Sequence, residues 1–263
     1  MLKVQNYING VLADAVNSNT IQNFNPSIGK EYGTIPNSDK DDLDKAVKAA
    51  KEALPKWSVL NSDSRFKILN RIAELIEANL DELAQAESKD QGKPQWLAKN
   101  EMKRSAQNMR FFATACLHYA TESHIMPGHA INYTQRHPIG VVGCISPWNL
   151  PLYLFTWKIA PALASGNCVV AKPSEVTPFT AYLLSQICIE VGFPAGVLNI
   201  VHGLGAETGQ AMVEHDHVKA ISFTGGTVTG ARIAAIAAPR FKKMSLELGG
   251  KNPNIIFEDC DFD

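Results

Sequence analysis

The sequence predicts an α/β protein: an open parallel sheet of Rossmann-like arrangement, with a β-hairpin inserted into it. Three observations carry this. From Gly140 onward, short apolar runs alternate with helical segments, the grammar of repeated β–α units. Those runs are continuous in place of alternating, as in strands covered by helices on both faces. A stretch with a Pro-Gly turn and alternating residues interrupts two regions that otherwise read as one unit. The chain has 263 residues, 45% hydrophobic and 19% charged. That is enough for one large domain, or for a domain and part of another.

Taken in order, residues 3–36 read as β-hairpins. Asn9-Gly10 is a strong two-residue turn between VQNYI and VLADA. Ser38 and Asp39 are candidate caps for a helix in which Leu43, Ala46, Val47, Ala50 and Leu54 share a face, with Pro55 as its stop. A longer helix starts near Ser62, its stripe running through Phe66, Leu69, Ile72, Ile76, Leu80 and Leu83. Gly92 and Pro94 end that region, and a further helix covers about 95–119. The hairpin occupies 121–139. Strands then fall at GVVGCI (140–145), CVVAK (168–172), VLNIV (197–201), KAISFTG (219–225) and KKMSLEL (242–248). Helices are expected at about 177–191, after Gly205 and at 227–238, and NIIFE (254–258) reads as a terminal strand.

Composition excludes several classes. A net charge of −1 gives no electrostatic footprint for nucleic acid or an acidic membrane. No apolar run reaches the length of a membrane span, and MLKVQNYING lacks the pattern of a signal peptide. The five cysteines, Cys116, Cys144, Cys168, Cys188 and Cys260, are scattered and odd in number. A reducing, cytoplasmic compartment is therefore expected. Without a signal peptide, the Asn132-Tyr133-Thr134 sequon is read as chance.

On a parallel sheet, nucleotide ligands sit at the carboxyl ends of the strands, and that is where the distinctive residues lie. After CVVAK, Lys172 and Glu175 could hydrogen-bond a ribose; KPSE alone reads more readily as a solvated loop ion pair. After KAISFTG, GGTVTG opens a helix, where small residues and free N–H groups suit a pyrophosphate. After KKMSLEL, Glu247 stands beside glycines, where a carboxylate can swing to reach a water or simply mark a surface turn. After GVVGCI, Asn149 in SPWN could donate to a developing oxyanion or satisfy its own loop. The Glu214–His217 cluster looks like a metal site, but no complementary His/Cys pair accompanies it. It is read as a solvated helix end, with no metal.

Together, ISPWNLPLYLFTWKIAPALASGNCVVAKPSE, FTGGTVTG and LELGGKNPNIIF, in that order and spacing, resemble the aldehyde dehydrogenase superfamily over the whole chain. AQAESKDQGK, QNMRFFA and ISPWNLPLYL bring it nearest to the 2-aminomuconic and 2-hydroxymuconic semialdehyde dehydrogenases. The resemblance implies NAD-dependent oxidation of a small-molecule aldehyde through a cysteine thioester. It implies Asn149 as oxyanion donor and Glu247 as the base that activates water. Cofactor contacts would come from Ile145, Ser146, Pro147, Trp148, Lys172, Ser174, Glu175, Phe223, Thr224, Gly225, Gly226, Leu248 and Gly249, with Gly250 adding room for the nicotinamide. Arg110 is a candidate partner for a substrate carboxylate. The 121–139 hairpin matches the family's oligomerisation arm, so a homo-oligomer, dimer or tetramer, is expected.

Two departures accompany the match. Gly226 stands where the family usually has Ser, and the sequence stops before the position of the family's nucleophilic cysteine. None of the five cysteines is assigned that role. The expected organisation is 1–120 and 140–247 as the NAD-binding domain, 121–139 as the arm and 248–263 as the start of the catalytic domain only. The competing expectation is a non-catalytic dinucleotide-binding or oligomerisation fragment.

Overall fold

The structure, a computed structural model, describes residues 2–261. The chain opens with β1 (Leu2–Lys3), β2 (Asn6–Ile8), β3 (Val11–Ala13), β4 (Thr20–Asn25) and β5 (Lys30–Pro36). Asn9 and Gly10 turn the β2–β3 hairpin with φ of 53° and 83°, the left-handed geometry that an Asn-Gly pair supplies without strain. Four helices follow, α1 (Lys40–Ser58), α2 (Ser62–Ala78), α3 (Leu80–Gln91) and α4 (Gln95–Ala115). Next comes a hairpin of β6 (Ser123–Met126) and β7 (Ala130–Tyr133), exposed at every position. The repeating half comprises β8 (Val141–Ile145), α5 (Pro151–Ala164), β9 (Cys168–Lys172), α6 (Phe179–Glu190) and β10 (Leu198–Ile200). A π-helical turn (Gly205–Gly209) leads into α7 (Gln210–Glu214), β11 (Val218–Thr224), α8 (Thr227–Ala237) and β12 (Lys243–Glu247).

The main sheet has the order β12-β11-β8-β9-β10-β2-β3. Its pairings from β12 to β10 are parallel, and the β2–β3 hairpin closes the far edge in antiparallel register, with Ile200 opposite Tyr7. β8, β9 and β10 are buried at every residue, as strands covered on both faces require. One continuous core joins the sheet to α1 through α6, with Leu43, Leu69, Ile76, Met102, Phe155 and Leu184 among its fully buried members. A smaller sheet, β1-β5-β4, stands beside it.

Several expectations are corrected. Pro55 lies inside α1, which continues to Ser58 because Trp57 is anchored: it is 2% exposed and its Nε1 donates to the Leu163 carbonyl at 3.2 Å. The single long helix from Ser62 is two. At Asn79 (φ −106°, ψ 24°) the side-chain amide takes the Leu75 carbonyl at 2.9 Å, and the chain restarts as α3. The helix expected to reach residue 119 ends at Ala115 and unwinds through turns at Leu117 and His118. NIIFE forms no strand. It has no neighbouring ladder among the described residues, and Ile255, Ile256 and Phe257 are exposed. Helix α5 escaped the periodicity reading because it is apolar nearly all round and holds Pro151 and Pro161.

Candidate active site: two clefts across one strand end

The carboxyl ends of β8, β9 and β11 open on a first cleft, and a second runs along β11 and β12 from Ala220 and Lys243 to Thr224 and Glu247; the two share Thr224. The first has a volume of about 400 Å³. The loop after β8 (Ile145, Ser146, Pro147 and Trp148) and the turn after β9 (Lys172, Ser174 and Glu175) line it. Phe223, Thr224, Gly225 and Gly226 line it after β11. Its outer wall was not anticipated: Gly205, Ala206 and Gly209 of the π-helical turn, Gln210 and Val213 of α7, and Thr229, Arg232, Ile233 and Ile236 of α8. Helices were expected at both places, but which face turns inward depends on how each helix crosses the sheet.

Lys172 is 2% exposed, and its Nζ donates to the Pro173 carbonyl and to Glu175 Oε2, both at 2.9 Å. The KPSE ion pair is therefore present, and it lines the cleft. Burial pushes Lys172 below its ordinary pKa against the pull of Glu175. Burial pushes Glu175 up, but Lys172 and the Gly205 N–H draw it down further, leaving it below its usual range. The two side chains form an ion pair on the cleft wall. Arg232, also at the cleft, donates to the neutral Gln210 side chain and meets no carboxylate among the described residues.

The features of this cleft fit a dinucleotide. Helix α8 begins at Gly226 with no side-chain cap, so its first N–H groups are free to bind an anion. A Cβ placed on Gly226 would meet nothing within 4 Å, whereas one on Gly225 would lie 2.5 Å from the Phe223 ring. Ser146 Oγ is buried and has no hydrogen-bond partner among the described residues.

The second cleft, about 680 Å³, lies on the other side of β11. Asn149, Leu150, Leu154, Trp157 and Lys158 line it from α5 and the loop before it, and Met244, Ser245, Glu247 and Leu248 from β12 and its end. Asn149 and Glu247, expected together, are both here and both exposed. Leu248 sits here instead of in the first cleft; it covers Gly230 of α8, where an added Cβ would fall 2.3 Å from Leu248 Cδ2. Gly249 lines neither cleft. Lys158 went unremarked in an apolar run, yet it is 6% exposed and its Nζ donates to Thr224 Oγ1 at 2.6 Å. Burial lowers its pKa, opposed by Cys144 and Glu247.

Arg110 reaches neither cleft. Its Nη1 and Nη2 donate to the Glu77 carboxylate at 2.6 and 2.7 Å. Arg104, further up α4, stacks 4.1 Å over the Tyr153 ring of α5 and donates to its hydroxyl at 2.7 Å. Among the described residues it meets no carboxylate. The Glu214–His217 cluster disperses onto α1: His215 lies 3.3 Å from Asp44, and His217 2.9 Å from Lys51. No cysteine lines either cleft. Cys144, Cys168 and Cys188 are buried, which pushes each thiol up to about 12.

A parallel sheet covered by helices, with a glycine-rich cleft at its strand ends, is the architecture of nucleotide-binding α/β proteins. Residues 13–263 match the aldehyde dehydrogenase family, and the chain belongs to it. It is 51% identical over its whole length to the human 2-aminomuconic semialdehyde dehydrogenase, covering 54% of that protein. To the 2-hydroxymuconic semialdehyde dehydrogenase of Pseudomonas sp. strain CF600 it is 44% identical, covering 56%. It superposes on the NAD+ complex of the Bacillus cereus aldehyde dehydrogenase with a TM-score of 0.93 at 37% identity, over 99% of this chain and 54% of that one. The chain thus spans about half the length of the relatives it matches.

Proposed function

We propose that the full-length protein oxidises an aldehyde to its acid with NAD, passing through a thioester on a cysteine thiolate. The observation that carries this is the meeting of the two clefts at Thr224, which puts a dinucleotide-sized groove beside Asn149 and Glu247. Lys172 and Glu175 hold the adenosine ribose, and the N–H groups at the start of α8 receive the pyrophosphate. The dinucleotide supplies the hydride acceptor. The Asn149 amide donates to the oxygen that gains charge when the thiolate attacks, and Glu247 takes a proton from the water that releases the acid. None of the five cysteines of this sequence is assigned as the nucleophile. A carboxylated semialdehyde of muconic type is the substrate class. Its support is the names of the relatives.

The domain reading follows the same lines. Residues 1–120 and 140–247 form the cofactor-binding part, and 248–263 begin the catalytic part. The exposed 121–139 hairpin is the arm through which copies assemble. A second reading, a dinucleotide-binding module without catalysis, is favoured by the absence of any cysteine from the clefts among the described residues. Spectrophotometric NADH formation with several aldehydes, a carboxylated semialdehyde included, separates the two. Turnover is the expected result for the full-length protein. Binding of NAD with no turnover of any aldehyde selects the second reading.

A further inference from the structure

The AQAESKDQGK stretch carries a side-chain cluster that neither cleft contains. Lys93, between α3 and α4, is 8% exposed; Glu87 of α3 is 0% and Glu101 of α4 is 5% exposed. The Lys93 ammonium bonds Glu101 Oε2 and lies 3.7 Å from Glu87 Oε1. Glu87 Oε2 in turn accepts from Thr180 Oγ1 of α6 at 2.8 Å. The remaining partner of Lys93 lies outside this cluster: its Nζ donates to the backbone carbonyl of Asn149 at 3.3 Å.

We propose that Lys93 is a positioning residue for the Asn149 amide, with Glu87 and Glu101 fixing Lys93 in turn. The inference rests on the reading of Asn149 as oxyanion donor. Asn149 is exposed, and its side-chain amide has no hydrogen-bond partner among the described residues. The loop that carries it, residues 146–150, is tied at its start by Ser146 N–H to the Lys172 carbonyl at 3.1 Å. At its end the tie is Lys93. Holding the carbonyl of a residue sets the ψ of that residue, and so the direction in which its own side chain leaves the backbone. An oxyanion donor works only if it is already aimed before charge develops. A charge-assisted bond is stronger than a neutral one, and an ammonium this buried requires carboxylate partners. Through those partners the loop is referred to α3, α4 and α6, elements of the rigid core.

The test is kinetic, in the full-length protein, with Lys93→Met, Lys93→Arg, Asn149→Ala and the Lys93→Met/Asn149→Ala double variant. Lys93→Met lowers kcat by roughly 10- to 10²-fold, the scale of a misplaced catalytic group, with the dissociation constant for NAD unchanged. Lys93→Arg restores part of the loss. In the Asn149→Ala background, Lys93→Met has little further effect, because the amide it aims is gone. Should Lys93→Met not fold, Glu101→Gln, which keeps the volume but weakens the hold on Lys93, takes its place in the same cycle. Equal losses in both backgrounds overturn the inference, as does a parallel loss of NAD affinity. An Asn149→Ala enzyme with undiminished kcat rejects the oxyanion reading itself, and the inference with it.

Discussion

The two clefts flank the same strand end and are built in opposite ways. The first is walled on both sides by this chain: strand ends and their turns on one side, α7 and α8 on the other. Its charged pair, Lys172 and Glu175, is complete within it. The second presents exposed apolar side chains that nothing among the described residues covers, including Ile139, Trp157, Met244 and Leu248. Its chemical groups, Asn149 and Glu247, are likewise exposed. The contrast teaches that a binding groove can be finished by local β–α units. A reacting centre of the kind proposed for the second cleft gathers side chains that need a dry, shaped enclosure before they differ from surface groups.

The largest effect expected from this contrast belongs to the second cleft. In the full-length protein, Glu247→Gln leaves a pre-steady-state burst of NADH, while steady turnover falls by roughly 10²-fold or more, the usual scale for a general base. Stopped-flow absorbance checks both halves, and an unchanged steady rate removes Glu247 from the mechanism. In the first cleft, the ribose contact proposed for Glu175 predicts a preference for NAD over NADP, because a carboxylate there would repel a 2′-phosphate. Glu175→Gln narrows that preference by about tenfold, equivalent to about 1.4 kcal/mol. Equal kcat/KM values for NAD and NADP in the unaltered protein contradict this.

A smaller effect lies away from both clefts. Burial raises the Glu87 carboxyl from 4.5 to about 8 against the pull of Lys93 and Thr180, with Glu101 and Asp90 adding to the rise. Burial likewise raises Asp90 to about 6, opposed by Tyr32, the Phe179 N–H, Asn23 and Lys89. A carboxyl whose folded pKa is raised binds more protons folded than unfolded. Its stabilisation is therefore complete below its unfolded pKa and is lost as pH rises through the folded one. Buried His202, lowered to about 3, gives the opposite slope up to its unfolded value of 6.5. Tm is therefore expected to fall between about pH 6.5 and 8, and Glu87→Gln flattens that fall, as thermal melts across the range will show. A Tm that rises over the same range contradicts the assignment.

Much of this was legible in the residues because the fold is written locally. CVVAK predicts a strand at 168–172, and β9 has those bounds. The turn chemistry of Asn9-Gly10 and of GGTVTG identifies a hairpin and a helix start without tertiary information. The cofactor residues named after each strand fall into the first cleft, Leu248, Gly249 and Gly250 excepted. What stayed hidden depends on packing. Helix α5 buries residues around most of its surface, so it has no stripe to read. The break at Asn79 keeps the apolar pattern running from α2 into α3 and betrays itself only in a side-chain hydrogen bond. Lys158 and Lys93 stand in no motif that marks them, and only the fold buries them against Thr224 and Glu101. Arg110 shows the reverse case: a cation in a suggestive motif that the fold spends on Glu77.

The claim on which the rest depends is that the first cleft holds the dinucleotide, and Gly226 offers the most direct test. Its backbone lies at φ −68°, ψ 146°, where any L-residue is unstrained, and a side chain there would project into open cleft. Gly226→Trp should therefore leave Tm unchanged and fill the groove. Calorimetric titration with NAD is predicted to show saturable binding to the unaltered protein and none to the variant. Equal binding by both would contradict the placement of the cofactor.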